Sequence, residues 1–152
     1  MKKKILIGLF LVLAGISTTF ANSGEENVNA QIINSFKKDF TGATNVQWSN
    51  GKDFTKATFT LNEHVVYAYY SDKGDLLGVT RNIVPGQLPM NLLNDVKRNY
   101  NQYWIADLFE IASNNETTYY ITLETSEQKL VLKSAGTNGW ETFKKEKKET
   151  IQ

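Results

Sequence analysis

An α+β fold is what this sequence predicts: a tandem repeat of a helix plus an antiparallel β-meander, with two helices packed on one face of a sheet. Three observations carry that expectation. A helix-period apolar stripe is followed by short period-two segments separated by turn residues. The same order then begins again after Pro85. The chain has no cysteine and is 12% aromatic, so packing of large rings, not disulfide stapling, must supply its stability.

The chain opens on Lys2, Lys3 and Lys4, followed by an apolar run from Ile5 to Ile16 and then Ser17, Thr18 and Thr19. Thr19 and Ala21 occupy the small-x-small positions of a cleavage site. A charged start, a short apolar stretch and a small-residue exit are the pattern of a secretory leader, residues 1–21. The run is shorter than the ~20 apolar residues a spanning helix needs, so no stable membrane insertion is expected once the leader is removed. The mature chain would begin at Asn22 and work outside the cytoplasm, in the periplasm or as a secreted protein. Without cysteine, no lipid can be attached there in the bacterial lipoprotein manner.

Residues 22–27 (NSGEEN) read as a flexible lead-in. A single domain is then expected over 28–143, with repeat 1 at about 28–83 and repeat 2 at about 88–143. Val28, Ile32, Phe36 and Phe40 recur every fourth residue, with Ile33 beside them, and form the stripe of a first helix. Asn27 or Asn29 can cap it, and Thr41-Gly42 ends it. Val46 and Trp48 then alternate with Gln47, and Asn50-Gly51 signals a hairpin. In Phe54–Leu61, Ala57, Phe59 and Leu61 oppose Thr58 and Thr60. Asn62-Glu63 turns the chain into His64–Tyr70, where Val66, Ala68 and Tyr70 oppose Val65, Tyr67 and Tyr69. Asp72-Lys73-Gly74 turns it again, into Leu76–Thr80.

The second half follows the same order. Pro89 suits the first turn of a helix striped by Leu92 or Leu93, Val96 and Tyr100. Strands follow around Ile105–Ile111, at Thr118–Glu124, around Leu130–Lys133 and at Trp140–Phe143, with turns at Ser113–Glu116 and Thr137-Asn138-Gly139. The turn at Gly139 would correspond to that at Gly74. Residues 144–152, beginning KKEKKE, read as a solvated charged tail.

Composition limits the function. The chain carries 17 Lys and Arg against 16 Asp and Glu, and three of those lysines lie in the leader. With no basic excess, a nucleic-acid partner is not expected. Absent cysteine removes thiolate metal sites, and no cofactor motif is present: no G-x-S-x-G, H-E-x-x-H or phosphate-binding loop occurs. His64 is the only histidine, so a histidine-based site would have only carboxylates as partners. Its place at a turn-to-strand junction suits a surface role. Asp72 and Asp75 lack the ligand spacing and closing glutamate of a calcium loop and read as a β-turn. Asn115-Glu116-Thr117 matches a glycosylation acceptor but falls in a turn. No catalytic residue, metal ligand or cofactor is therefore assigned, and the protein is expected not to be an enzyme.

The aromatic alternation is more informative. Trp48, Phe59, Tyr70 and Tyr119 share the parity assigned to the core. Tyr67, Tyr69 and Tyr120, with Thr122, take the opposite parity. If helices cover only the first face, these four residues form an exposed surface suited to a protein or peptide partner. The same residue types also pair well across strands in any sheet.

The order of a helix, Val46-x-Trp48, the Phe54-x-x-Ala57-x-Phe59-x-Leu61 strand, Ala68-Tyr69-Tyr70-Ser71-Asp72-Lys73-Gly74, then Leu88-Pro89 and a helix ending in Tyr100 resembles the PepSY-like, β-lactamase-inhibitor-like family. Phe36, Phe40, Val46 and Gly139 also match, and the likeness runs from about Val28 to Phe143. The chain departs from the pattern at Ser134-Ala135-Gly136, where an acidic turn residue is usual. The resemblance implies an exported bacterial protein that grips a partner with the open face of its sheet, inhibition of an enzyme being one form of such binding. The alternative is an envelope ligand-binding or structural accessory protein without inhibitory activity.

Overall fold

The computed structural model describes residues 22–136 and 138–148. Residues 1–21, where a leader and its cleavage site are expected, Thr137 and residues 149–152 lie outside the described residues. In chain order the elements are β1 (Asn22–Ser23), α1 (Ala30–Asp39), β2 (Thr44–Asn50), β3 (Thr55–Leu61), β4 (His64–Tyr70), β5 (Leu76–Asn82), α2 (Met90–Asn99), β6 (Trp104–Ser113), β7 (Glu116–Glu124), β8 (Gln128–Ser134) and β9 (Glu141–Lys147). The nine strands form one sheet in sequence order, every pair antiparallel. The class is α+β, an open antiparallel sheet with two helices.

Turn chemistry sets the register of the meander. Asn62 and Glu63, at φ 48 and 67, close a two-residue hairpin that aligns Leu61 with His64. Asn114 and Asn115, at φ 52 and 63, do the same for Ser113 and Glu116. Both central residues of such a turn need positive φ, which asparagine accepts more readily than most residues. The Asn50-Gly51 signal resolves differently. The loop runs over residues 51–54, with the Gly51 amide donating to the Phe54 carbonyl at 2.8 Å. A Cβ at Gly51 would lie 2.6 Å from the Phe54 ring, so the glycine is there to let that ring lie over the backbone.

The first helix is capped by Asn29, whose side chain accepts from the Gln31 amide at 2.9 Å and donates to the Asp72 carbonyl at 3.2 Å. One side chain thus closes the helix N-terminus and ties it to the β4–β5 turn. Ile32 and Phe36 face the sheet and meet Trp48, Ala57, Phe59, Val66, Ala68 and Tyr70 in the first core cluster. In the second half, Leu92 and Val96 are the buried residues of α2. Leu108, Ile121, Leu123, Leu130 and Leu132 form the sheet side of the second cluster, with Leu88 and Val96 against them. Pro89 is the N-cap of α2 and not part of its first turn. Asn91 Nδ2 donates to the Gly136 carbonyl at 3.1 Å, and Trp140 Nε1 to the Leu92 carbonyl at 3.1 Å. Gly136, at φ 87, takes the left-handed conformation in the β8–β9 connection, as Gly74 does at φ 79 after β4; Gly139 does not. A turn glycine is readable from sequence, but which of two neighbours takes positive φ is not.

Both clusters lie on one face of the sheet. Val79 packs against the first cluster and is opposite Ala112 on β6. Two and four residues back along β6 on the same side stand Glu110 and Leu108, and Leu108 belongs to the second cluster. The other face carries no helix.

Two expectations about the ends are corrected. The lead-in is not loose throughout: Asn22 and Ser23 pair with Ser49 and Trp48 as β1, and residues 25–27 form a 3-10 turn that leads into buried Val28. Backbone amides of an edge strand seek partners whatever the side chains, so polar composition gave no sign of it. At the other end, Lys144–Lys147 belong to β9, aligned with Gln128–Val131 of β8. Lysine-rich strands are common at sheet edges, where charge blocks pairing with a second chain.

A pH dependence follows from the buried tyrosines. Tyr70 is fully buried and its hydroxyl donates to Asp39 Oδ2 at 3.2 Å. Burial, and then the charge of Asp39, raise its pKa well above that of free tyrosine; burial also raises those of Tyr69, Tyr100 and Tyr120. A raised folded pKa means that the contribution is fully present below about pH 10, the unfolded value, and is lost as pH climbs through the folded one. Thermal melts should therefore hold up to about pH 10 and then drop. Tyr70→Phe should show a shallower drop; an unchanged alkaline slope would remove Tyr70 from the account.

Candidate interaction surface

On the helix-free face, β4 contributes Val65, Tyr67 and Tyr69. Across the ladder, Tyr67 stands opposite Thr58 and Thr80, and Tyr69 opposite Lys56 and Gly78. Lys56 Nζ lies 5.8 Å from the centre of the Tyr67 ring. Tyr67 is half-buried and Val65 exposed. Tyr69 is 4% exposed, edge-on to Phe54 at 5.5 Å. Its hydroxyl meets the Thr80 side chain. Facing a glycine, it has room to lie against the sheet, and the ring of the β2–β3 loop covers it.

Farther along, Tyr120 on β7 stacks on Phe109 of β6 at 5.2 Å and meets Phe143 of β9 edge-on at 5.5 Å. Tyr120 and Phe143 are half-buried, while Phe109 is buried beneath them. Thr122 stands between Asp107 and Val131 and is 4% exposed. Of the four residues expected on an open surface, Tyr67 and Tyr120 are accessible; Tyr69 and Thr122 are not. The expectation of exposure is corrected for those two.

Tyr69, Thr80, Phe109, Thr122 and Val131 are all buried without a covering helix. Side chains on a flat sheet face would be half open to water, so the face must curl until neighbouring strands cover one another. Register shifts of the kind that bend a sheet occur in the β2–β3, β4–β5, β6–β7 and β8–β9 pairings, between Thr44 and Gln47, Tyr69 and Tyr70, Ile105 and Asp107, and Val131 and Leu132. Phe54, Phe109 and Phe143 were the residues that sequence reasoning missed. Phe109 and Phe143 join Tyr120 only through cross-strand register and a bulge, neither visible from alternation within one strand.

Charge rims the far end of this face. Glu124 is held by Lys148 at 2.7 Å, and Lys148 Nζ lies 4.9 Å from the centre of the Trp104 ring, which is 52% exposed. Lys144 and Glu146 pair at 2.6 Å.

The chemistry candidates are accounted for by local structure. His64 is exposed, and its Nδ1 donates to the Asn62 carbonyl at 2.7 Å, across the hairpin turn. Asp75 is tied into the β4–β5 turn: Ser71 Oγ donates to its carboxylate at 3.2 Å and accepts from the Lys73 and Asp75 amides. Among the described residues, no group of three or more His, Asp or Glu side chains converges as a metal site.

This geometry defines a class, a two-helix α+β meander with one covered and one uncovered sheet face, and solved structures share it. A BLIP-like protein from Bacteroides fragilis superposes with a TM-score of 0.68 at 18% identity, over 82% of this chain and 89% of its own. A DUF2874 family protein from Bacteroides ovatus gives 0.69 at 15% identity, over 79% and 87%. A candidate periplasmic protein from Bacteroides eggerthii gives 0.68 at 11% identity, over 79% and 88%. At these identities the likeness concerns the fold, which is consistent with the β-lactamase-inhibitor-like resemblance of the sequence. No family model and no curated protein matches the chain. Among the described residues, no helix is long and apolar enough to cross a membrane.

Proposed function

We propose that the chain is an exported, non-enzymatic binding module that docks a protein or peptide partner on the helix-free face of its sheet. The observation that carries this reading is the placement of both helices on one face, which leaves Tyr67 and Tyr120, with Phe143, accessible on the other. Tyrosines there offer apolar area and a hydroxyl at small entropic cost. Buried Tyr69 and Thr122 support the face from below. Export rests on the leader pattern, and the fold shared with a candidate periplasmic protein agrees with it. Binding through the sheet, with inhibition as one form, is supported by the fold shared with a BLIP-like protein. We read the two helix-and-meander units as a tandem repeat. Asn29 and Asn91, each at the start of its helix and each bonded to a carbonyl of a strand-to-strand connection, β4–β5 and β8–β9, support that reading.

The test uses the mature protein and its partner recovered from the envelope. Tyr67→Ala and Tyr120→Ala should each weaken binding by about 2 kcal/mol, roughly 30-fold, when a central tyrosine is lost. Unchanged affinity in both folded variants would place the site elsewhere.

A further inference from the structure

The helix face carries a second feature that the sheet-face reading does not use. Past the C-terminal end of α1, a cleft of about 250 Å³ opens over the middle strands. Its walls include Phe40, Leu61, Val66 and Val79, and its charged groups are Arg81 and Glu110. These six come from α1's C-cap and from β3, β4, β5 and β6, so the site is assembled by the region where the two halves of the sheet meet.

Arg81 is held side-on. Its Nε donates to Glu110 Oε1 at 2.6 Å, directly across the β5–β6 ladder, where the two residues are register partners. Among the described residues, no hydrogen bond engages its Nη atoms, and the side chain is 39% exposed. A guanidinium fixed through Nε keeps further N–H donors in a planar fork, the geometry that accepts a carboxylate. The apolar wall lies beside it. At the ~30 Å³ that one water occupies in the liquid, the cleft has room for about eight waters, the scale of a small organic molecule. A purely apolar ligand would cover the Nη donors that Glu110 does not engage.

We propose that this cleft binds a small apolar carboxylate, with its hydrocarbon part against Phe40, Leu61, Val66 and Val79 and its carboxylate on the Nη groups of Arg81. Glu110 is the positioning residue: it orients the guanidinium through Nε and leaves the Nη groups for the ligand. The site is on the opposite face from Tyr67 and Tyr120, so it stands or falls independently of the partner surface.

Phenylacetate is a suitable probe, titrated into the isotope-labelled mature protein and followed by amide NMR. Saturable shifts are expected at residues 61–66, 79–81 and 110–112. Phenylacetamide, of the same shape but uncharged, should bind about tenfold more weakly or worse, because a charge-assisted bond is lost. Arg81→Lys should weaken phenylacetate by a similar factor, since an ammonium keeps the charge but not the fork. Should that variant fail to fold, the comparison of the two ligands on the parent decides. Shifts that do not saturate, that fall elsewhere, or that are equal for the acid and the amide would overturn the proposal.

Discussion

Phe36→Ala is expected to lower the unfolding free energy by about 3–5 kcal/mol. Phe36 is 4% exposed and sits where α1 meets the sheet. It meets Phe59 edge-on at 4.9 Å and Trp48 edge-on at 5.2 Å, with Phe40 tilted at 5.5 Å. Removing the ring leaves a cavity walled by other rings, which cannot collapse far because each is fixed by the next. Against a typical total stability of about 5–15 kcal/mol, that loss is large. The fourfold spacing places Phe40 on the same stripe. In the fold Phe40 is the C-cap of α1 and half-buried at the rim, so Phe40→Ala should cost less, about 1–2 kcal/mol. The same distinction holds in the second half. Tyr100 is half-buried, while Leu92 is fully buried and is the position there whose truncation should rank with Phe36. Urea unfolding measures all four variants. A loss below about 1 kcal/mol for Phe36→Ala would mean that α1 does not seal the first core.

Tyr69→Ala should be nearly as damaging, about 3 kcal/mol or more, although the residue faces away from both helices. Its burial comes from Phe54, from Gly78 opposite and from the curl of the sheet. Tyr67, two residues earlier on the same strand and face, is half-buried, and Tyr67→Ala should cost under about 1 kcal/mol. A comparison of the two melts separates a self-packed face from a flat wet one. Equal and small losses would show that Tyr69 is not packed into the helix-free face.

Much of the architecture was legible because it depends on local periods and turn residues. The stripe of Ile32 and Phe36, the alternation of Phe59, Ala68 and Tyr70, and the Asn62-Glu63 and Asn114-Asn115 turns each act over a few residues. Parity gave the correct partition between the two faces for Tyr67, Tyr69, Tyr70 and Tyr120. Exposure did not follow from parity. Whether Tyr69 is wet depends on Phe54 and Gly78, and whether Thr122 is wet depends on Asp107 and Val131. Those contacts arise from cross-strand register and bulges, which a single strand does not record. The ends are illegible for a related reason: β1 and the lysines of β9 pair through their backbones, and side-chain polarity carries no information about that. The Arg81–Glu110 pair is not legible in the sequence because its members are 29 positions apart and meet only through the β5–β6 ladder.

The central claim is that the protein binds through the helix-free face. Site-specific photo-crosslinking in the native envelope tests it most directly. A photoreactive phenylalanine is placed at Tyr67 or Tyr120 on that face, and at Met90, which is 70% exposed at the start of α2. Discrete protein adducts are expected from positions 67 and 120 and none from 90. Adducts from position 90 alone would contradict it, as would the same adducts from all three positions.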